Sequence, residues 1–216
     1  MDDSDKPGKR APRGGRYHHG ALREALLASA EQILERDGVQ GLTLRAAARE
    51  AGVSHAAPMN HFGDLTGLLS ELAALGFERF RAAMQAGLDA SRGPQARMSA
   101  IGRAYVRFAR THPGLFQLMF RSERLDPQRP ALAAAMRGAY LVLAGTVGER
   151  REEAIGSTLT EAQAAQIMAA WSLVHGFAVL SLDGRFDQIV AHAPEGATEE
   201  SLFEAILRGP DDRSAS

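Results

Sequence analysis

Cysteine is absent from the 216 residues. Disulfide frameworks, thiol nucleophiles and thiolate-held zinc sites are therefore excluded, and the cytoplasm, a reducing compartment, is the expected setting. Lysine is confined to Lys6 and Lys9, so no lysine in the body can form a Schiff base or serve a phosphate loop. Aromatic residues are scarce at 6%, with Trp171 the single tryptophan. Neither sign of charge dominates, the formal net charge being -1. A zincin helix motif, a nucleophile elbow, a phosphate loop and a dinucleotide fingerprint are all missing. His18-His19 has no carboxylate scaffold beside it, and Glu152-Glu153 reads as a solvated helix face. The chain is accordingly not read as an enzyme, and no metal or cofactor is expected.

What is present is enough apolar residue, 45%, to fill a core, with 24% charged; the bulk of the chain is expected to fold. Sustained period-2 alternation is missing, whereas Ala, Leu, Arg and Glu recur at a spacing of about 3.6. Punctuation at Gly38, Gly52, Gly63, Gly93-Pro94, Pro113, Pro127, Pro130, Gly156 and Asp183-Gly184 cuts the chain into roughly eight to nine helices. The fold class is all-α, a three-helix N-terminal domain followed by a helical bundle. Residues 1–16 read as a flexible basic arm, 17–64 as the N-terminal domain, 65–208 as the bundle and 209–216 as a polar tail. No secretory signal is read at the start. Ala162 to Leu182 contains no charged residue but holds Gln163, Gln166, Ser172, His175 and Ser181. It suits a helix buried in a soluble assembly better than a membrane span.

A first helix from about Gly20 to Asp37 carries Leu22, Leu26, Ala30, Ile33 and Leu34 on one face, with Gly38 placed to end it. Thr43 stands where an N-cap belongs, ahead of a second helix from about Leu44 to Ala51. Gly52 can take the positive φ of a turn, and Ser54 is the natural cap of a short third helix through about His61. Ala48 is small where the two helices must approach, and Val53 is apolar where the turn packs back. Two short helices joined by a glycine-containing turn make a helix-turn-helix. Pro58 removes an N–H from the first turns of the third helix.

The run Thr43-Leu44-Arg45-Ala46-Ala47-Ala48-Arg49-Glu50-Ala51-Gly52-Val53-Ser54, then His61-Phe62 and Leu68-Leu69, resembles the N-terminal domain of TetR-family transcriptional regulators. Trp171-Ser172-Leu173-Val174-His175-Gly176 resembles the Trp/His-Gly motif of one C-terminal subgroup, and His112-Pro113 through Met119-Phe120 a segment common there. The resemblance implies a homodimeric DNA-binding repressor, relieved when a small molecule enters the C-terminal bundle. Met59 stands where the family usually has tyrosine, and Leu65 where a lysine usually opens helix four. Each loss is expected to weaken sequence-independent affinity by about 1 kcal/mol.

Residue by residue, a recognition helix presents its first turns to base edges of double-stranded DNA while flanking groups hold phosphates. Ser54, His55, Ala56, Asn60 and His61 are the expected readers: Asn60 suits an adenine edge, Ala56 or Ala57 a thymine methyl. Thr43 and Arg45 are placed for phosphates at the positive end of helix two. The stretch from Lys9 to Arg23, which includes Arg16, holds five basic residues and no acidic one, suited to the backbone or a minor groove.

Helix four, about Asp64 to Asp89, carries Leu68, Leu72, Leu75, Phe80 and Met84 and links the two domains. Phe80, Met84, Tyr105, Phe108, Phe116, Met119, Met136 and Tyr140 are expected either to line a pocket for a small apolar effector or simply to fill the core. Trp171 and His175 share a helix face; with Gly176 and Val179 they are assigned to the dimer interface, the other reading being an intramolecular core pair. A second apolar helix, about Thr198 to Leu207, can complete a four-helix interface in a homodimer whose two readers match a pseudo-palindromic operator. The competing reading is a helical dimer that binds a ligand or protein without reading DNA.

Overall fold

The computed structural model describes residues 15–120 and 122–209, with side chains from residue 20 onward except residues 121 and 122. Among the described residues there are ten α-helices, one 3-10 turn at Ser122–Arg124, and no strand. Helix α1 (Gly15–Gly41) is broken at Gly38, whose φ of 68° ends the regular helix where the sequence placed its stop. It begins earlier than expected, taking in residues assigned to the arm; the rest of the arm and residues 210–216 of the tail lie outside the described residues.

Helix α2 (Leu44–Glu50) is capped by Thr43, whose hydroxyl oxygen accepts from the Ala46 N–H at 3.0 Å. Gly52 turns the chain with φ 65°. Ala48 is fully buried, and Val53 packs back on the core. Helix α3 spans Ala57–Phe62 and starts later than the sequence suggested. Ser54 does not cap it; its carbonyl accepts from Ala57 N–H at 3.0 Å, and Ala56 occupies the cap position without a side-chain bond. The late start also disposes of the difficulty with Pro58, which falls at the second helical position, where an N–H has no intrahelical partner to lose.

Helix α4 (Leu65–Asp89) is the spine of the molecule. Asp64 caps it, accepting from Gly67 N–H at 2.7 Å. It buries Leu68, Leu72, Phe77, Phe80, Met84 and Leu88, each contributing roughly 1.5–3 kcal/mol on transfer from water. Around it lie α5 (Pro94–Thr111), α6 (Pro113–Met119) and α7 (Pro130–Arg151), with α8 (Glu161–Leu182) beyond them against α5 and α7, and α10 (Glu199–Arg208) against α5. A short α9 (Asp187–Ala191) was not anticipated. One apolar core runs from Leu26 on α1 through α4 to Phe177 on α8. Both α7 and α8 are long and apolar enough to cross a membrane, but α7 packs along α4 and α8 against α5 and α7.

Polar links to backbone groups tie the N-terminal helices to the bundle. The Glu35 carboxylate on α1 accepts from Gly114 and Leu115 N–H at 2.9 and 3.0 Å, capping α6 from a distance. Arg129, just before α7, donates to the Phe62 carbonyl at the end of α3. Between them, the buried Ser70 hydroxyl accepts from Asp126 N–H at 2.8 Å.

Candidate functional site

The helix-turn-helix presents Ser54, His55, Ala56 and Asn60 to solvent, with Thr43 and Arg45 exposed at the start of α2. Thr43 spends its lone pair on the cap, which leaves the hydroxyl proton free to donate. His61 is half-buried with its ring beside Phe62. Ala57 is buried and faces the core, so of the two alanines only Ala56 points outward. Met59 is 60% exposed, the most open large apolar side chain of α3. Leu65 packs partly on the core. Arg16 lies in the opening turn of α1, its side chain outside the described residues. Arg23, grouped with the basic arm on sequence, instead turns inward: it pairs with Glu71 on α4 and sits over the Phe62 ring at 5.8 Å.

The bundle encloses a cavity of about 710 Å³, walled by α4, α5, α6, α7, α8 and α10. Of the eight residues expected there, Phe80, Met84, Tyr105, Met119, Met136 and Tyr140 lie on its wall. Phe108 and Phe116 do not. Phe108 backs Phe80 at 5.2 Å between ring centroids, and Phe116 is wedged between Tyr105 and Phe120 at 5.8 and 5.0 Å. Helical periodicity marks the inward face, but not which inward residue a void reaches.

Tyr105 organises one wall. Trp171 Nε1–H donates to its oxygen at 3.3 Å, and the Tyr105 hydroxyl lies 2.8 Å from His175 Nδ1. Because indole is a donor only, the phenol proton goes to the histidine, which accepts as the Nε2–H tautomer. Burial raises the Tyr105 phenol above its ordinary value and lowers the His175 imidazole; both are held neutral. His175 also packs edge-on against Phe120 at 4.6 Å. Trp171 and His175 are thus both joined to Tyr105 within the subunit, and Trp171, itself partly open to solvent, lines the cavity. Gly176 has open space where a Cβ would stand. Val179 is exposed, in company with Met168, Leu173 and Leu180 along α8.

Sequence reasoning missed the polar part of the wall, namely Gln95 and Ser99 on α5, Arg150 and Arg151 ending α7, and Gln166 on α8. Arginines in a last helical turn read as ordinary partners of the helix dipole. Glu153 is exposed as expected but lies just past the end of α7, where it accepts from Arg151 at 2.8 Å and from Gln163 at 3.1 Å.

Residues 98–208 match the family model described as the tetracyclin repressor-like C-terminal domain. A solved structure of a Rhodococcus sp. RHA1 protein of unknown function is 36% identical, with a TM-score of 0.72, covering 90% of this chain and 96% of that one. The HTH-type transcriptional regulator YobS of Bacillus subtilis is 26% identical over 193 residues, 87% of each chain. The TetR-family transcriptional regulator PfmR of Thermus thermophilus shares the fold, with a TM-score of 0.59 and 20% identity over 85% of this chain and 97% of its own.

Proposed function

The chain belongs to the tetracyclin repressor-like family and is a DNA-binding transcriptional regulator; from that premise we propose that it is a homodimeric repressor released by a small molecule bound in the bundle cavity. Residues 17–64 form the reading domain and 65–208 the effector and dimerisation domain, and the Trp171 to Gly176 segment supports reading the chain as a member of the Trp/His-Gly subgroup. The protein works in the cytoplasm on a pseudo-palindromic operator. Ser54, His55, Ala56, Asn60 and His61 face the bases; Arg16, Thr43 and Arg45 hold phosphates.

The observation that carries this reading is the shared use of α4. Its first turn abuts α3, its body walls the cavity through Phe77, Phe80 and Met84, and the Glu35 and Arg129 links join α6 and α7 to the reading domain. A ligand that binds only the dimer with displaced reading helices lowers operator affinity by its differential binding energy. The exposed apolar face of α8, with α10, supplies the subunit contact, because so apolar a surface is unfavourable in water.

A pull-down of genomic fragments with the purified protein at about 150 mM salt, where non-specific phosphate binding is suppressed, tests it. A few enriched fragments sharing an inverted repeat support the reading. An intact dimer that enriches nothing makes the chain a ligand- or protein-binding relative. An identical spacing of the reading helices in free and ligand-bound dimers refutes α4 as the lever.

A further inference from the structure

We propose that the effector is an amphiphile with an apolar body and an anionic head, a carboxylate or phosphate monoester, gripped by Arg150 and Arg151. The proposal rests on the cavity being the effector site and names the chemistry that site takes.

The cavity has two unlike ends. Arg97 near the start of α5 bonds Glu149 near the end of α7 at 2.7 Å and the Leu88 carbonyl near the end of α4 at 3.1 Å. Gln95 Nε2 donates to the Leu207 carbonyl at 3.1 Å. These contacts gather the ends of α4, α7 and α10 with the start of α5, away from the reading domain, and it is there that Arg150 and Arg151 join the wall. Gln95, Arg150 and Gln166 are exposed, so this end meets solvent. Toward the reading domain the wall is Phe77, Phe120, Leu125 and Pro127.

The nearby carboxylates do not saturate the two guanidiniums. Glu149 is engaged by Arg97, and Glu153 takes one Nη2 bond from Arg151. Arg150 has no ion pair among the described residues. Arg151 Nε is the one buried side-chain polar atom left without a hydrogen-bond partner among the described residues. A buried guanidinium N–H without an acceptor costs free energy, and an anion that the Arg151 side chain turns to meet recovers that cost through a charge-assisted bond. An uncharged apolar molecule leaves the atom orphaned. A cation meets two positive charges.

The test uses dodecanoate, dodecyl phosphate, dodecanol and dodecyltrimethylammonium below their micellar concentrations. Binding is read from Trp171 fluorescence and from release of operator DNA. The expected result is that one or both anions bind at least tenfold more tightly than dodecanol, while the cation binds most weakly. The stronger anion identifies the head. Arg150→Gln, at an exposed unpaired site, and Arg151→Gln are each expected to weaken the anion roughly tenfold and to leave dodecanol unchanged. Dodecanol binding as tightly as the anions, or both variants leaving the anions unaffected, overturns the anionic head while the cavity reading stands. If none of the four moves Trp171 or releases DNA, the effector cavity fails and this proposal with it.

Discussion

Arg129 donates from Nη2 to the carbonyl oxygen of Phe62 at 2.9 Å, across 67 residues of sequence. The acceptor is the last residue of the reading helix, and the donor is the cap position of a helix that walls the cavity. The same guanidinium lies 3.7 Å from Glu71, which also pairs with Arg23 on α1. Helices α1, α3, α4 and α7 therefore converge on one small group of charges.

Arg129→Met keeps the aliphatic stem and removes that group's centre. Coupled sites typically change each other's affinity 5- to 150-fold. In the variant the effect of a cavity ligand on operator affinity is expected to fall toward onefold, with ligand affinity itself little altered. Operator titrations with and without ligand decide it, and undiminished coupling removes Arg129 from the mechanism.

Glu35→Ala leaves the Gly114 and Leu115 N–H groups without their carboxylate. Loss of such a cap costs about 1 kcal/mol, which for a chain of this size lowers Tm by roughly 2–4 °C. Calorimetry on the variant measures it; an unchanged Tm means water satisfies the end of α6 equally well.

On the reading face two substitutions are expected to differ in kind. Asn60→Ala relaxes sequence preference at one base pair, by about 1–3 kcal/mol. Arg45→Ala weakens all sequences alike and makes the salt dependence shallower by about one phosphate. Binding isotherms on operator and random DNA at several salt concentrations separate the two.

The pair Tyr105–His175 makes stability depend on pH. Burial lowers the His175 pKa below its ordinary 6.5, so as pH falls the unfolded chain takes the proton first. Its contribution is complete above about 6.5 and declines below, until the folded histidine also titrates. His175→Phe starts from a lower Tm, since the Tyr105 hydroxyl loses its acceptor, but loses less between pH 8 and 5. Parallel melting curves for the two proteins count against it.

Leu180→Glu puts a carboxylate on the exposed apolar face of α8. Sedimentation is expected to shift from dimer to monomer, with a matching loss of operator binding. A variant that remains dimeric moves the interface elsewhere.

The fold was legible wherever a local rule decided it. Thr43 and Thr198 each stand at an expected helix start, and each accepts the N–H it should; Gly38 breaks α1 by its φ. Ser54 had the right chemistry for a cap, yet the chain makes a turn there first and Pro58 sets the start of α3. The links through Glu35 and Arg129 were invisible, because charged side chains reaching backbone groups 67 to 80 residues away leave no periodic trace. For the same reason the cavity's aromatic members could be gathered by face, whereas Phe108 and Phe116 could not be told from Phe80, nor Arg151 from a solvated helix end.

Gly67 lies where α4 leaves the reading domain, and a methyl group there would collide with both the Phe62 carbonyl and the Arg129 guanidinium. The cheapest genetic lesion in this regulator is therefore one carbon atom. Among spontaneous mutants selected for a derepressed reporter, alleles at codon 67 should arise with DNA-contacting residues and cavity intact, their phenotype permanent induction without inducer.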